Sequence, residues 1–244
     1  VAALTTAQVA GLTDTQVAAL QVADLIVLSA EQLQALLTSQ IVALTSAQVA
    51  ALTTEQMVAL ESADLAALTV DQVAALTTAQ VRALTTDQIP VLTVSQLQAL
   101  ETADIAALSS AQIAALTTAQ AAALSTAQIV AFSSVQIQAL ELEDLAALTV
   151  AQIKAIQTVD LAALSTAQDS ALTTEQVEAL TVQQVANLTT AQVAALQTAD
   201  LLVLTSAQIA ALTVAQVQAL GTAQIAALTT AQVQALQTED LASL

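Results

Sequence analysis

Seven regularly spaced aspartates are the residues whose type and spacing come closest to a chemical site. They form two series in which each member lies five octads, or eight-residue repeats, after the one before: Asp24, Asp64, Asp104 and Asp144, then Asp160, Asp200 and Asp240. A column of carboxylates would attract a hard cation such as calcium. No glycine-rich loop and no second carboxylate recurs beside each aspartate, so we favour solvated carboxylates and keep calcium as the alternative.

Groups that could catalyse a reaction are scarce elsewhere in the sequence. It contains no His and no Cys, and Arg82 and Lys154 are its two basic residues. The Ser and Thr hydroxyls therefore lack an activating base, and zinc lacks its usual nitrogen and sulfur ligands. Gly11 and Gly221 are the only glycines, too few for a glycine-rich phosphate loop. We predict that the protein is not an enzyme and has no resident cofactor.

An eight-residue repeat positions all of these residues. Thirty consecutive octads run from Val1 to Asp240 without insertion or deletion, and half an octad follows. Lettered a to h from Val1, the consensus is Val/Ile-Ala-Ala-Leu-Thr-Thr-Ala-Gln, with Leu at d in all octads but two. Position h is Gln in 23 octads and Asp in seven. We predict one continuous array over residues 1–244, and we expect it to be part of a longer array.

Helix-start signals recur once in each octad. Thr or Ser occupies e in 21 octads, three residues before Gln or Asp at h, which is the spacing of a capping box. Leu at d and the aliphatic residue at a then form a hydrophobic staple. Acidic residues at g, such as Glu31 and Glu55, fall in the first turn, where the helix dipole favours negative charge. These signals predict an all-α solenoid with one very short helix per octad. A β-solenoid is the alternative, and Pro90 is the main objection to a helix in its octad.

The aspartate octads suggest the geometry of the superhelix. In them e changes from Thr or Ser to Gln or Glu, as at Gln157 and Glu61. Loss of the cap together with gain of good helix formers predicts that two short helices fuse there into one longer helix. We therefore predict five octads, or about 40 residues, in each superhelical turn. Asp169 is the one charged residue at an a position and looks like a buried carboxylate. The adjacent Ser170 suggests a local surface opening or a contact site, and we favour degeneration of one repeat as the explanation.

Charge and hydropathy limit the partners of the chain. The net charge of −18 repels phosphate backbones, so we do not expect nucleic-acid binding. Thr, Ser, Gln or Asp interrupts each apolar run well before the roughly 18 residues of a membrane-spanning helix, so we do not expect membrane insertion.

The segment Ala-Ala-Leu-Thr-Thr-Ala-Gln-Val at residues 74–81 resembles the octapeptide arrays of giant bacterial secreted and surface proteins, which are labelled adhesins or haem-utilisation proteins. The resemblance covers the whole chain and implies an extracellular or cell-surface location. The haem label finds no support, because the chain has no His, Tyr or Cys to ligate iron and Met57 occupies an apolar a position. We expect a structural protein that assembles with copies of itself into filaments. The alternative is a spacer or cation-dependent binding segment of a giant adhesin.

Overall fold

Short α-helices follow one another along the part of the chain, residues 3–237, that the computed structural model describes. No β-strand occurs within those residues. The prediction of an all-α solenoid with one short helix per octad is confirmed, and the β-solenoid alternative is wrong. The chain divides into two compact units, Val1–Leu124 and Ser125–Leu244.

The first unit, over its described residues, contains fourteen helices and one 3-10 helix. Their bounds are α1 (Thr6–Ala10), α2 (Asp14–Ala18), α3 (Val22–Leu25), α4 (Ala30–Gln34), α5 (Thr38–Ala43), α6 (Ser46–Ala51), α7 (Thr54–Ala59), α8 (Ser62–Ala67), α9 (Val70–Ala74), α10 (Thr78–Ala83), the 3-10 helix (Ile89–Val91), α11 (Val94–Ala99), α12 (Thr102–Ala107), α13 (Ser110–Ala114) and α14 (Thr118–Ala123).

The second unit, as far as the structure describes it, contains another fourteen helices. Their bounds are α15 (Thr126–Val130), α16 (Ser134–Gln138), α17 (Leu142–Ala147), α18 (Val150–Ala155), α19 (Thr158–Leu161), α20 (Thr166–Ala171), α21 (Thr174–Glu178), α22 (Val182–Ala186), α23 (Thr190–Ala195), α24 (Thr198–Val203), α25 (Ser206–Ile209), α26 (Val214–Gln218), α27 (Thr222–Ala227) and α28 (Thr230–Ala235).

The helices begin where the capping-box pattern predicts. At α10, the Thr77 hydroxyl accepts a hydrogen bond from the Gln80 backbone N–H at 3.3 Å. The Gln80 Oε1 atom in turn accepts from the Thr77 backbone N–H at 2.8 Å. Two N–H groups that a helix N-terminus leaves without an intrahelical partner are thereby satisfied by residues close in sequence. The predicted register of the octad is confirmed.

An extended N-cap residue separates each described α-helix from the one before it, and in many helices the C-cap residue is extended as well. Leu52, after α6, has φ −54° and ψ 141°, and Thr53, before α7, has φ −71° and ψ 162°. The helix cannot continue through such backbone, so these helices are only four to six residues long. No residue between 3 and 237 has a positive φ. Because this connection needs no left-handed residue, the array can repeat with almost no glycine.

The aspartate octads keep this break between helices. Helix α7 ends at Ala59 and α8 begins at Ser62, with Glu61 extended at φ −67° and ψ 150°. The prediction that two helices fuse in such octads is therefore wrong. The aspartate keeps the half of the capping box that glutamine makes in other octads: in α12 the Asp104 Oδ2 atom accepts from the Glu101 backbone N–H at 3.1 Å. The Asp104 backbone N–H, which a hydroxyl at e would otherwise accept from, donates to the Glu101 carbonyl at 3.0 Å, so the sequence change does not remove the helix start.

Pro90 changes its octad without interrupting the stack. A turn and the 3-10 helix replace the α-helix there, because proline has no N–H to donate inside a helix. The Thr85 and Gln88 capping bonds remain, at 2.9 and 3.2 Å. The objection that Pro90 raised is correct for this one octad, which still occupies its place in the solenoid.

The core consists of the residues at positions a and d. In α5, for example, Ile41 at a is fully buried and the following Leu44 at d is 3% exposed. Helices this short are not stable alone, so burial of these side chains between turns must hold them in place. Among the described residues, no helix combines the length and the apolar character that a membrane crossing requires.

Packing partners are three helices apart in the chain. In the first unit α2 packs against α5, and α5 against α8; in the second, α17 packs against α20, and α20 against α23. Hydrogen bonds between turns join residues 25 to 31 positions apart. A turn therefore closes after three to four octads, and the prediction of five is wrong. The rotation between successive helices comes from the extended residues at d and e, and the five-octad spacing of the aspartates does not report it.

Candidate functional site

A layer of buried glutamines at position h is the most regular polar arrangement in the protein. We call it the glutamine ladder and define it as the h-position glutamines whose Nε2 atoms donate to backbone carbonyls of an earlier turn. Its members in the first unit are Gln32, Gln40, Gln48, Gln56, Gln72, Gln80, Gln88, Gln96, Gln112 and Gln120. In the second unit they include Gln168, Gln176, Gln184, Gln192, Gln208, Gln216, Gln224 and Gln232.

Gln112 shows the geometry of one rung. Its Nε2 atom donates to the carbonyl oxygens of Val81 at 3.1 Å and Leu84 at 2.8 Å, which lie 31 and 28 residues earlier. Its Oε1 atom accepts from the backbone N–H of Ser109 at 2.8 Å. One side chain that is 3% exposed thus caps its own helix and joins it to the preceding turn.

The carbonyls that the ladder contacts lie at helix ends. The one at a also accepts a backbone N–H, as Val81 does from Leu84 at 3.3 Å, whereas the one at d lies just beyond the helix. The last carbonyls of any α-helix have no intrahelical N–H, and burying them unpaired costs about 1–3 kcal/mol each. Val81 and Leu84 lie at and just after the C-terminal end of α10, where their carbonyls meet the Gln112 amide. Helices of one or two turns consist mostly of such ends, so the turns of this solenoid depend on amide donors from the next.

The aspartates at h form a second kind of bond between turns, in which the carboxylate is the acceptor. The Asp64 and Asp104 Oδ1 atoms each accept from a threonine hydroxyl 26 residues earlier at 2.8 Å, supplied by Thr38 and Thr78. In the second unit, Ser134 donates to Asp160 at 2.6 Å and Thr174 to Asp200 at 3.1 Å. Each of these hydroxyls lies at position f. A Gln at h therefore donates to the preceding turn, whereas an Asp at h accepts from it.

The residue at e supplies an amide donor in some aspartate octads. The Gln157 Nε2 atom donates to the Val130 carbonyl at 3.1 Å, and Gln237 Nε2 donates to the Ala210 carbonyl at 3.2 Å. In both cases the acceptor lies 27 residues earlier, near the end of a helix in the preceding turn. In these octads the amide that donates to the preceding turn is therefore at e and not at h. This role explains the change from Thr to Gln at e, in place of the helix fusion that the sequence pattern predicts.

The predicted aspartate columns do not form, because the packed helices are three octads apart and the aspartates are five apart. Five of the aspartates are buried in first turns of separate helices and Asp24 is half-buried, so the prediction of solvated carboxylates is wrong for Asp64, Asp104, Asp144, Asp160 and Asp200. Asp240 lies outside the described residues. Within residues 3–237, no three His, Cys, Asp or Glu side chains gather as they would around a metal ion. The aspartates remain the candidate calcium ligands, but the stacked column of carboxylates on which the calcium alternative was based is not present among the described residues.

Acidic residues at g occupy the first helical turn, as their register predicts. Glu31 lies in the first turn of α4 and Glu55 in that of α7. Backbone hydrogen bonds at the helix start, followed by the Ser29 and Thr53 hydroxyls respectively, lower the pKa of these two carboxyls below its ordinary value. Both stay ionised at neutral pH and contribute to the negative surface.

Asp169 is a buried carboxyl, as its a position suggests. Its side chain is 4% exposed, so the octad does not open to solvent there, and the alternative of a local surface opening is wrong. The Oδ1 atom accepts from Gln192 Nε2 at 3.2 Å, whereas the Oδ2 atom is buried without a hydrogen-bond partner. The adjacent Ser170 is exposed, and its hydroxyl donates to the Thr166 carbonyl at 2.9 Å within the same helix.

Sequence reasoning identified the glutamine as a capping residue and missed its bond to the neighbouring turn. One signal for the second role is present in the sequence. Glutamate caps a helix as well as glutamine does, yet h is never Glu in the 30 octads. Only the amide can accept from its own N-cap and donate to another turn at once.

The fold and the ladder define an α-solenoid repeat protein in which buried side-chain amides join successive turns. The ALTTAQ repeat profile matches residues 17–54, 57–94, 97–134, 153–190, 193–230 and 215–244. This chain belongs to the ALTTAQ repeat family. Three matches begin at residues 17, 57 and 97, which are five octads apart. Two further matches begin at 153 and 193, which are again five octads apart but offset from the first three. The five-octad period is therefore a unit of sequence and not a turn of the superhelix. No curated protein matches the chain.

Proposed function

We propose that this chain is a structural protein that assembles with copies of itself into extracellular filaments. The observation that supports this is the polarity of the contact between turns: h-position amides of one turn meet helix-end carbonyls of the preceding turn. The two sides of that contact are different surfaces, so it is heterologous. Heterologous contacts between copies extend without limit and produce filaments.

The use of polar groups in the described chain also favours a structural role. Most buried polar side chains belong to the glutamine ladder or to the aspartate–hydroxyl bonds between turns. Lys154, the one lysine, lies in open surface grooves with Glu178 and Thr181, away from any nucleophile with an adjacent base. Groups already paired for packing are not available for catalysis. This distribution supports a scaffold more than an enzyme.

The net charge of −18 favours end-to-end over side-by-side association. Like-charged solenoids repel wherever their sides face each other, whereas an end-to-end contact brings few charges together. The screening length falls from about 30 Å at 0.01 M salt to about 3 Å at 1 M. We expect single filaments in dilute buffer and lateral bundles in concentrated salt.

The cell exterior is the proposed location, and a second copy of the chain is the proposed partner. The likeness of residues 74–81 to arrays in giant bacterial surface proteins supports that location. The acidic surface supports the absence of nucleic acid and of anionic membranes as partners.

Electron microscopy of the purified chain over a concentration series tests the proposal. Gln8 and Gln16 are exposed, and within the described residues their Nε2 atoms meet no carbonyl of another turn. Replacing both with Met removes donors that would join a second copy and leaves the buried ladder intact. We expect the wild-type protein to form filaments whose length grows with concentration, and the double variant to form shorter ones. Isolated rods of constant length would contradict self-assembly.

The second candidate function is a spacer or a cation-dependent segment of a giant adhesin. The seven h-position aspartates are the feature that favours it. Thermal unfolding with calcium and with chelator, for the wild type and for Asp64→Asn with Asp104→Asn, distinguishes the two. Stabilisation by calcium that disappears in the double variant would support the cation-dependent segment. Melting curves that are the same with calcium and with chelator would support a spacer that does not depend on cations.

A further inference from the structure

Helix α20 carries a buried carboxyl at a position that is otherwise apolar. Asp169 occupies a, where the array places Val, Ile or Leu in most octads, and it is 4% exposed. One carboxyl oxygen accepts from the Gln192 amide at 3.2 Å, and the other has no partner. A polar atom buried without a hydrogen bond destabilises the packed state, and an ionised one does so more strongly.

Asp169 also disturbs the rung that contacts it. The two hydrogens of Gln192 Nε2 face three acceptors: the Leu161 carbonyl at 2.9 Å, the Leu164 carbonyl at 3.4 Å, and Asp169 Oδ1. In a regular rung the bond to the d-position carbonyl is shorter, as from Gln216 to Leu188 at 2.7 Å. The carboxyl thus competes for an amide that other turns use entirely for helix ends.

The two helices packed against α20 offer no countercharge. Helix α17 carries the exposed Glu143 and the buried Asp144, and α23 carries no titratable residue. Neither helix contains a basic residue. Burial raises the pKa of the Asp169 carboxyl from its usual value of 3.8 to about 7, and the Gln192 hydrogen bond lowers it by less. The protonated and ionised forms of Asp169 are therefore both populated near neutral pH.

We propose that α20 is a proton-controlled joint in the solenoid. With Asp169 protonated, α20 stays packed between α17 and α23. With Asp169 ionised, α20 detaches locally, because the carboxylate regains its hydration in the open form. The joint would act in the same way in a filament and in a spacer, since it depends only on contacts within the second unit.

The sign of the pH dependence follows from the two protonation equilibria. In the open form the carboxyl ionises near its usual value of 3.8, whereas in the packed form it holds its proton up to about pH 7. Packing of α20 is therefore fully stable below about pH 4, weakens as pH rises, and reaches its minimum once pH passes about 7. The equilibrium constant for opening should rise on the order of 100-fold between about pH 5 and pH 8.

Amide hydrogen exchange resolved by segment, corrected for the intrinsic pH dependence of exchange, tests the joint in the full chain. The informative variants are Asp169→Asn, which keeps the size and removes the titration, and Asp169→Val, which restores the usual residue. Asp200→Asn is the matched control, because Asp200 is buried as deeply but its Oδ1 atom accepts from the Thr174 hydroxyl.

We expect protection of α20 to fall by tens of fold from about pH 5 to pH 8 in the wild type and in Asp200→Asn. In Asp169→Asn and Asp169→Val it should not change with pH. Constant protection of wild-type α20 over this range would overturn the proposal, and so would an equal fall in Asp169→Val. Because Val is the usual residue at a, that variant should fold even where the Asn variant does not.

Discussion

Helices α14 and α20 both lack a large aliphatic residue at position a, and they differ in what replaces it. Ala121 in α14 is fully buried, and Gln120 of the same helix donates to the Ile89 and Leu92 carbonyls at 2.9 and 2.7 Å. In α20, where Asp169 takes the place of Ala121, Gln168 donates to the Ile137 and Leu140 carbonyls at 3.4 and 3.1 Å. The ladder is tight beside the alanine and looser beside the carboxyl.

This difference indicates that the solenoid requires position a to be free of polar groups more than it requires a large side chain there. Alanine removes apolar volume but adds no polar group, so the glutamine keeps its helix-end carbonyls. Aspartate adds acceptors that the neighbouring amide must serve, and it leaves one of them unserved. The stack is therefore more sensitive to surplus acceptors than to missing methyl groups.

The largest effect is expected when Ala or Asp is introduced at position a of a regular octad, which tests that conclusion directly. Val73 in α9 is fully buried, and Gln96 follows it in the array as Gln192 follows Asp169. Val73→Asp should lower the free energy of unfolding by about 3–5 kcal/mol at neutral pH, because it buries an unpaired carboxylate. Val73→Ala should cost about 2 kcal/mol. Urea unfolding followed by circular dichroism measures both, and equal losses would contradict the comparison.

Removing one rung of the ladder should have the next largest effect. Gln112→Met keeps most of the side-chain volume and leaves the buried Leu84 carbonyl without its amide donor, whereas the Val81 carbonyl keeps the Leu84 N–H at 3.3 Å. We expect a loss of about 2–4 kcal/mol in the free energy of unfolding. Gln16→Met is the matched control, because Gln16 makes the same capping box but is exposed, and it should lose about 1 kcal/mol. Similar losses in the two variants would show that the bond between turns contributes little.

The helix caps should contribute less per residue than the rungs. Thr93 caps α11 by accepting from the Gln96 backbone N–H at 3.2 Å. Thr93→Ala should cost about 1 kcal/mol, and Thr93→Ser should restore most of it, since serine keeps the hydroxyl. Thermal melts of the three proteins give the comparison. A serine variant as unstable as the alanine variant would mean that the methyl group, and not the cap, stabilises this position.

The smallest effect is expected where an aspartate at h that uses one oxygen becomes asparagine. The side-chain oxygen of Asp64→Asn can still accept from the Thr38 hydroxyl, as Asp64 Oδ1 does now at 2.8 Å. The free energy of unfolding, measured by urea titration, should change by about 0.5 kcal/mol or less. Thr38→Val, which removes the donor and leaves Asp64 buried without it, should cost about 1–2 kcal/mol. A larger loss in Asp64→Asn than in Thr38→Val would mean that the charge itself stabilises this contact.

Much of the local structure was predictable because its causes lie within a few residues. Thr77 and Gln80 are three positions apart, so the sequence itself places the cap and the start of α10. Pro90 correctly indicated the octad that lacks an α-helix. Fusion of helices at the aspartate octads was a wrong prediction, since Asp104 still accepts from the Glu101 N–H and so keeps half of the capping box.

The burial of Asp169 was not predictable from its neighbours. A carboxyl beside a serine is typical of an exposed segment, and the sequence alone does not show that α17 and α23 cover it. Burial of this residue depends on helices three octads away on either side. A single octad cannot expose its a position unless the neighbouring turns also move. The regular repeat imposes the a-position environment on whichever residue occurs there.

The sequence by itself determined the octad, its helix, the start of that helix, and the two apolar positions, because capping and staple contacts act within a single repeat. Only the tertiary structure decided how many octads close a turn and which carbonyls the glutamines bind. Those bonds join residues 28 to 31 positions apart. Their pairing depends on a rotation that accumulates over several linkers, and an eight-residue pattern is equally compatible with several values of that rotation.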